Sequence, residues 1–246
     1  MIELATHNST RAAVAQRIEA QDWNRVAAEL DSGGIAMIER LLSPADCALI
    51  RAMYDDDARF RSRVVMARHG FGRGEYRYFD YPLPDLVAAL RPGLYARLVA
   101  IANRWNEAFG VETRFPDAHS DFIAQCRASG QHRPTPLLLR YETDDYNCLH
   151  QDLYGERVFP LQVAILLSEP ERDFSGGEFV LTEQRPRRQS RADVVPLRQG
   201  DAAIFAVHRR PVQGARGVYA ANMRHGVARL RSGLRFTLGV IFHDAA

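Results

Sequence analysis

The distribution of apolar and polar positions divides the chain into two unlike halves. Thr10 to Glu19 and Gln21 to Leu30 carry apolar residues at helical spacing. Ser43-Pro44 supplies an N-cap and a first-turn proline for a helix running to about Tyr54. Leu94 to Phe109 is a longer amphipathic run stopped by Gly110, and Asp117 to Ala128 reads as a further helix closed by Ser129-Gly130. Between them Arg68 to Phe79, with its glycines, aromatics and arginines, suits a loop or an exposed hairpin. From Pro136 the period shortens. Leu137 to Leu139, Leu161 to Leu167, Glu178 to Leu181, Val194 to Leu197, Ala202 to Val207 and Leu234 to Phe242 have the length and apolar content of strands. Asp173 to Gly177 and Gln199-Gly200-Asp201 supply turns between them. Helices followed by about eight short strands predict an α+β fold, with a double-stranded β-helix (jelly roll) as the natural closure. The division expected is a helical N-terminal elaboration over 1–134, with a substrate lid at 68–79, and a β core over 135–246, the two forming one compact unit.

Composition narrows the class. With 246 residues, 46% of them hydrophobic and 25% charged, the chain can bury a full core. Met1 to Ala15 lacks the apolar centre of a secretion signal and no later stretch is long enough to span a bilayer, so a soluble cytoplasmic protein is expected. Cys47, Cys126 and Cys148 are odd in number and widely spaced, which fits neither a disulfide framework nor a thiolate zinc site. The net charge of +2 is unevenly spread: Arg185 to Arg235 contains twelve arginines and two acids, a surplus of ten, and leaves the remainder at −8. An anionic partner near that segment follows as an expectation.

The candidate chemistry sits in the strand-rich half. In His150-Gln151-Asp152 an imidazole and a carboxylate two positions apart project from one face of an extended chain. His225 lies before the last strand and can add a second imidazole. Two histidines and one carboxylate, with three coordination sites open, form the facial ligand set of non-haem iron(II) oxygenases. Arg235 follows His225 by ten positions, inside an apolar strand, where a guanidinium can grip a carboxylate through two parallel bonds. His208 competes for the third ligand position, with Arg216 eight residues on, but only the arginine following His225 lies within the terminal strand.

His150-x-Asp152, Gly176-Gly177-Glu178, Gln199-Gly200-Asp201, His225 and Arg235 together resemble the core of the 2-oxoglutarate/iron(II) dioxygenase superfamily, over about Pro136 to Asp244. Leu139-Arg140-Tyr141, nine residues before His150, is similar to prolyl-4-hydroxylase-like members. The resemblance implies iron(II), 2-oxoglutarate and O2 as cofactor and co-substrates, and Tyr141 and Thr237 as helpers of Arg235. The wording FPLQVAILLSEP and GGEFVLTEQRPRRQSR resembles a bacterial oxygenase family proposed to act oxidatively on damaged nucleic acid. One departure stands out: AlkB-type demethylases follow the co-substrate arginine with asparagine, threonine and a second arginine at alternate positions, and Arg235-Phe236-Thr237-Leu238-Gly239 lacks the asparagine and the second arginine.

Three functions remain open on this reading: a nucleic-acid dealkylase, a prolyl-4-hydroxylase-like hydroxylase of a protein or small molecule, and a jelly-roll binding module without catalysis. Arg185, Arg187, Arg188 and Arg191 are expected at a basic hairpin tip, either a solvated face or a contact for DNA or RNA. Tyr76 and Tyr78 are expected on the lid. Cys148 is expected to be a small buried thiol.

Overall fold

The computed structural model describes residues 2–153 and 155–246, with side chains from residue 11 onward. Five helices, α1 (Ile2–Glu19), α2 (Trp23–Gly33), α3 (Pro44–Ala52), α4 (Asp85–Ala108) and α5 (His119–Ala128), occur among the described residues. Ser43 and Asp46 form a reciprocal capping box at the start of α3, with Pro44 in its first turn, as the sequence signals require. Helix α4 begins well before Leu94 and carries Pro92 internally. Its buried residues Leu90, Leu94, Leu98 and Ala102 recur at the spacing of one helical face.

The strands are β1 (Ile35–Ile38), β2 (Phe60–Val65), β3 (Gly72–Arg73), β4 (Glu75–Phe79), β5 (Leu137–Tyr141), β6 (Tyr146–His150), β7 (Leu161–Leu166), β8 (Phe174–Gly176), β9 (Phe179–Gln184), β10 (Arg191–Val195), β11 (Ala202–Ala206), β12 (Arg209–Gly214), β13 (Gly217–Val227), β14 (Leu230–Gly233) and β15 (Arg235–Val240). A seven-stranded sheet has the order β1-β11-β7-β15-β5-β4-β2, and a six-stranded sheet the order β10-β9-β13-β6-β3 with β12 added to β13. The strands pair antiparallel, and the cavity described below is walled by both sheets, which is the double-stranded β-helix.

The region before residue 134 adds more than helices, since β1, β2 and β4 belong to the large sheet. The segment expected as a loop or exposed hairpin is for its second half an interior strand. Strand β4 lies between β2 and β5, with Glu75, Arg77 and Phe79 buried on one face and Tyr76 and Tyr78 on the other. The sequence misleads because the polar residues of β4 are the better buried: Glu75 accepts from Tyr54 Oη at 2.6 Å and pairs with Arg63, and Arg77 donates to the Tyr54 carbonyl at 2.8 Å. A paired charge can be buried where an unpaired one cannot.

The C-terminal residues are clasped from behind the large sheet. Arg91 of α4, 2% exposed, donates to the carbonyls of Ile241 and His243 at 2.8 and 2.9 Å, to Tyr81 Oη at 2.9 Å and to Asp244 Oδ1 at 2.7 Å. Thr135 and Gln131 complete the knot through the carbonyls of His243 and Asp244. Along β15 and β5, Arg235 is level with Tyr141, Thr237 with Leu139 and Gly239 with Leu137. That row of alternate residues forms the inner wall of the barrel.

Candidate active site

His150 closes β6 and His225 lies in β13, directly opposite it in the register. The strands meet closely because Gly226 has no side chain: a Cβ there would stand 2.6 Å from the Asn147 carbonyl oxygen. The two imidazole rings come to 4.2 Å between centroids. Asp152, two residues beyond β6, reaches between them, with Oδ1 3.4 Å from His150 Nε2 and Oδ2 3.3 Å from His225 Nε2. The three donor atoms lie within 4.8 Å of one another, and this is the only metal-capable group of its kind among the described residues.

Each side chain is oriented by a specific neighbour. His150 Nδ1 lies 2.8 Å from the Cys148 carbonyl, so Nδ1–H donates there and Nε2 presents its lone pair to the centre. The His225 ring stands 4.5 Å from that of Phe205, centroid to centroid, and its Nδ1 is buried without a partner. Burial opposes ionisation of Asp152, but the two imidazoles beside it outweigh that and hold the carboxyl well below its usual range. For His150 burial is likewise outweighed, and Asp152 raises its pKa; at the deeper His225 burial prevails and lowers it. One anion held between two neutral nitrogen donors is a ligand set suited to a divalent cation.

The centre faces a cavity of ≈ 400 Å³. At its deep end lies Arg235, 1% exposed. Its Nη1 donates to Thr237 Oγ1 at 2.6 Å, its Nε has no partner, and no carboxylate pairs with it among the described residues. Burial draws this guanidinium down to about 10, with Tyr141 and Glu178 opposing. The Tyr141 ring stands 5.6 Å from the guanidinium carbon, and its hydroxyl accepts from Asn147 Nδ2 at 3.4 Å. A buried cation short of partners on a cavity wall has the chemistry to receive a carboxylate.

His150, Asp152, His225, Arg235, Tyr141 and Thr237 all line this one cavity. Tyr76 and Tyr78 line it too, from the interior strand β4 rather than from a lid, their rings edge to face at 5.4 Å. His208 follows β11 and is absent from the ligand group. Cys148, expected buried, is exposed at the cavity rim. Arg185, Arg187, Arg188 and Arg191 do lie at the β9–β10 turn, but none lines the cavity. Arg185 is paired with Glu183 at 2.6 Å and Arg191 with Asp193 at 2.9 Å. Arg210 shares Glu183 and Arg229 is paired with Asp144, so these pairs bring only two acids from outside the segment against its surplus of ten. Sequence reasoning missed Asn147, Phe205 and Gln162 on the cavity wall. Gln162 could have been found as the one polar residue of the apolar run Leu161–Leu166.

The signature of a family described as "Oxygenase, catalysing oxidative methylation of damaged DNA" matches residues 74–245. The chain belongs to this oxygenase family. Uncharacterised proteins from two strains of Mycobacterium tuberculosis are 51% identical to it over 168 residues, 68% of this chain and 72% of theirs. An oxidoreductase of the 2-oxoglutarate/iron(II) oxygenase family from Burkholderia pseudomallei superposes with a TM-score of 0.53 at 20% identity, covering 92% of this chain and 94% of that one. A Pseudomonas putida prolyl-4-hydroxylase gives 0.52 at 13% identity, covering 88% and 96%. The fold of this oxygenase is thus that of the 2-oxoglutarate/iron(II) class, which works with iron(II), 2-oxoglutarate and O2. No helix among its described residues is long and apolar enough to cross a membrane.

Proposed function

We propose that this oxygenase removes alkyl groups oxidatively from damaged nucleic acid, with iron(II) held by His150, Asp152 and His225. The observation that carries the reading is the pairing of a complete facial ligand set with a buried arginine that has no carboxylate partner among the described residues, in the same cavity. Arg235 would hold the distal carboxylate of 2-oxoglutarate, with Thr237 orienting the guanidinium and Tyr141 closing the site against water. Bound iron supplies the activation of O2 that inserts one oxygen atom into a substrate C–H bond, while the other enters succinate as CO2 leaves. With an N-methyl group as the target, the product carries N–CH2OH, and loss of formaldehyde returns the N–H base. His150 keeps Nε2 free by spending its Nδ1–H on the Cys148 carbonyl. The apolar wall of Phe205, Leu139 and Val163 excludes water from the reacting carbon. A base in a duplex would have to leave the stack to reach this centre.

A second reading, hydroxylation of a prolyl or other peptide substrate, is favoured by the local pairing of Arg185 and Arg191, which leaves the basic tip a weak attractant for phosphate. The two are separated by measuring succinate and formaldehyde released with iron(II) and 2-oxoglutarate. N-methylated single-stranded oligonucleotides should stimulate both products, and proline-rich peptides neither. Stimulation of succinate by the peptides alone would reverse the assignment.

A further inference from the structure

One polar group on the cavity wall has no part in the chemistry above. Gln162 of β7 is 3% exposed, lines the cavity, and its Nε2 is buried without a hydrogen-bond partner. Buried amides nearly always find partners, and an orphan in a native fold calls for an explanation. Packing does not supply one: the other members of Leu161–Leu166 are apolar, and an aliphatic side chain would fill the place without leaving a donor unsatisfied.

Register locates the group. Gln162 is the cross-strand partner of Phe205, whose ring stands 4.5 Å from that of His225. On its other side β7 pairs with β15, where Gly239 is level with Ala164 and Val240 with Val163, so Gln162 is level with Ile241. Arg235 is six residues back along that strand, about 20 Å of extended backbone. A five-carbon diacid gripped at Arg235 is far too short to reach Gln162. The amide therefore lines the part of the cavity beyond the co-substrate's reach, level with Phe205 and Ile241, neither of which offers a side-chain acceptor.

We propose that Gln162 reads the substrate, its Nε2–H donating to a planar acceptor next to the carbon that is oxidised. This rests on the dealkylase reading and deepens it. The substrate it fits is a base alkylated on a ring nitrogen that has a ring carbonyl beside it. A carboxamide is a planar group that pairs with the hydrogen-bonding edge of a base, and the flat apolar surfaces of Phe205 and Tyr76 suit a planar ring. A substrate without the acceptor leaves Nε2 unpaired in the closed complex and is rejected on that account.

The test uses the iron-loaded protein and a single-stranded oligonucleotide carrying one 3-methylthymine, in which carbonyls flank the methylated nitrogen on both sides. Gln162→Met keeps the volume and removes the donor. The Michaelis constant for the oligonucleotide should rise about ten-fold while that for 2-oxoglutarate moves less than about two-fold. In 15N-labelled protein kept free of O2, the side-chain amide signal lost in Gln162→Met should shift in the wild type when the oligonucleotide is added. Oligonucleotide-stimulated turnover that Gln162→Met leaves intact overturns this inference alone, as does an amide signal that stays in place while neighbouring signals move. Stimulation by a proline-rich peptide and not by the oligonucleotide overturns the dealkylase reading and this inference together.

Discussion

Two clusters in this molecule are made from the same side chains and behave differently. The C-terminal clasp contains Arg91, His243 and Asp244; the cavity contains Arg235, His225 and Asp152. In the clasp the arginine meets a carboxylate, a hydroxyl and two carbonyls at 2.7–2.9 Å, and only His243 Nε2 is left over. In the cavity the arginine meets one hydroxyl and no carboxylate among the described residues, and two imidazoles converge on one carboxylate. Burying a charge is tolerable where its partners are built in, and elsewhere it marks a place where a ligand completes the set. Completed sets hold the fold together; incomplete ones do chemistry.

The contrast can be broken by substitution. The largest effect is expected at the proposed metal ligands: His225→Ala should abolish binding of a divalent cation in a titration, and His208→Ala should leave it in place. Loss of binding in the second variant alone would move the third ligand and undo the register argument. Next, Arg91→Met strands the Asp244 carboxylate, whose side chain is 0% exposed, and should cost about 3–5 kcal/mol of unfolding free energy in denaturant melts. Arg235→Met removes a cation with no carboxylate partner and should leave the ligand-free protein as stable as before or more so. If both variants melt alike, the two arginines do the same job.

Acid sharpens the same contrast. Burial draws His243 down to about 4, with Arg91 acting in the same direction. Between its ordinary value of 6.5 and that figure, the unfolded chain binds a proton that the folded chain refuses. Stability is therefore lost as pH falls through this window, by about 1.4 kcal/mol per pH unit for this group. His119, also near 4 through burial, adds in the same sense. Melts from pH 7 to pH 4 should show the decline, and His243→Gln should flatten it.

Smaller effects are expected at the charges proposed to bind ligands. Arg235→Lys replaces a planar fork with a point charge, and the loss of one charge-assisted bond, about 1.5–3 kcal/mol, should raise the Michaelis constant for 2-oxoglutarate ten-fold or more. At the β9–β10 tip, Arg187 and Arg188 have no ion-pair partner among the described residues, unlike Arg185 and Arg191. Replacing Arg187 and Arg188 by Gln should reduce the salt slope of oligonucleotide binding by about two units, and replacing the paired arginines should do less. No salt-sensitive binding by the wild type would leave the tip a solvated face.

The candidate metal-ligating group and the barrel were legible because their signals are local: a two-residue spacing in His150-Gln151-Asp152, and apolar strands whose polar neighbours lie in turns. What escaped the sequence was long-range. Strand β4 looked solvated because Glu75 and Arg77 are charged, and their partners Tyr54, Arg63 and Asp57 lie 12 or more residues away. Strand β13 escaped because Asn222 and Arg224 interrupt its apolar pattern, so the strand that carries His225 ahead of β15 was not anticipated. Cys148 was expected to be a small buried thiol, although its strand is largely exposed.

That misplacement gives the cavity a point of attachment. Cys47 and Cys126 are buried and their thiols pushed up by burial, Cys47 to about 12, which leaves them inert to thiol reagents near neutral pH. Cys148 is the exposed thiol at the rim. A fluorophore or spin label offered to the unmodified protein would thus settle at one position, two residues from His150. It would report, in real time, what enters.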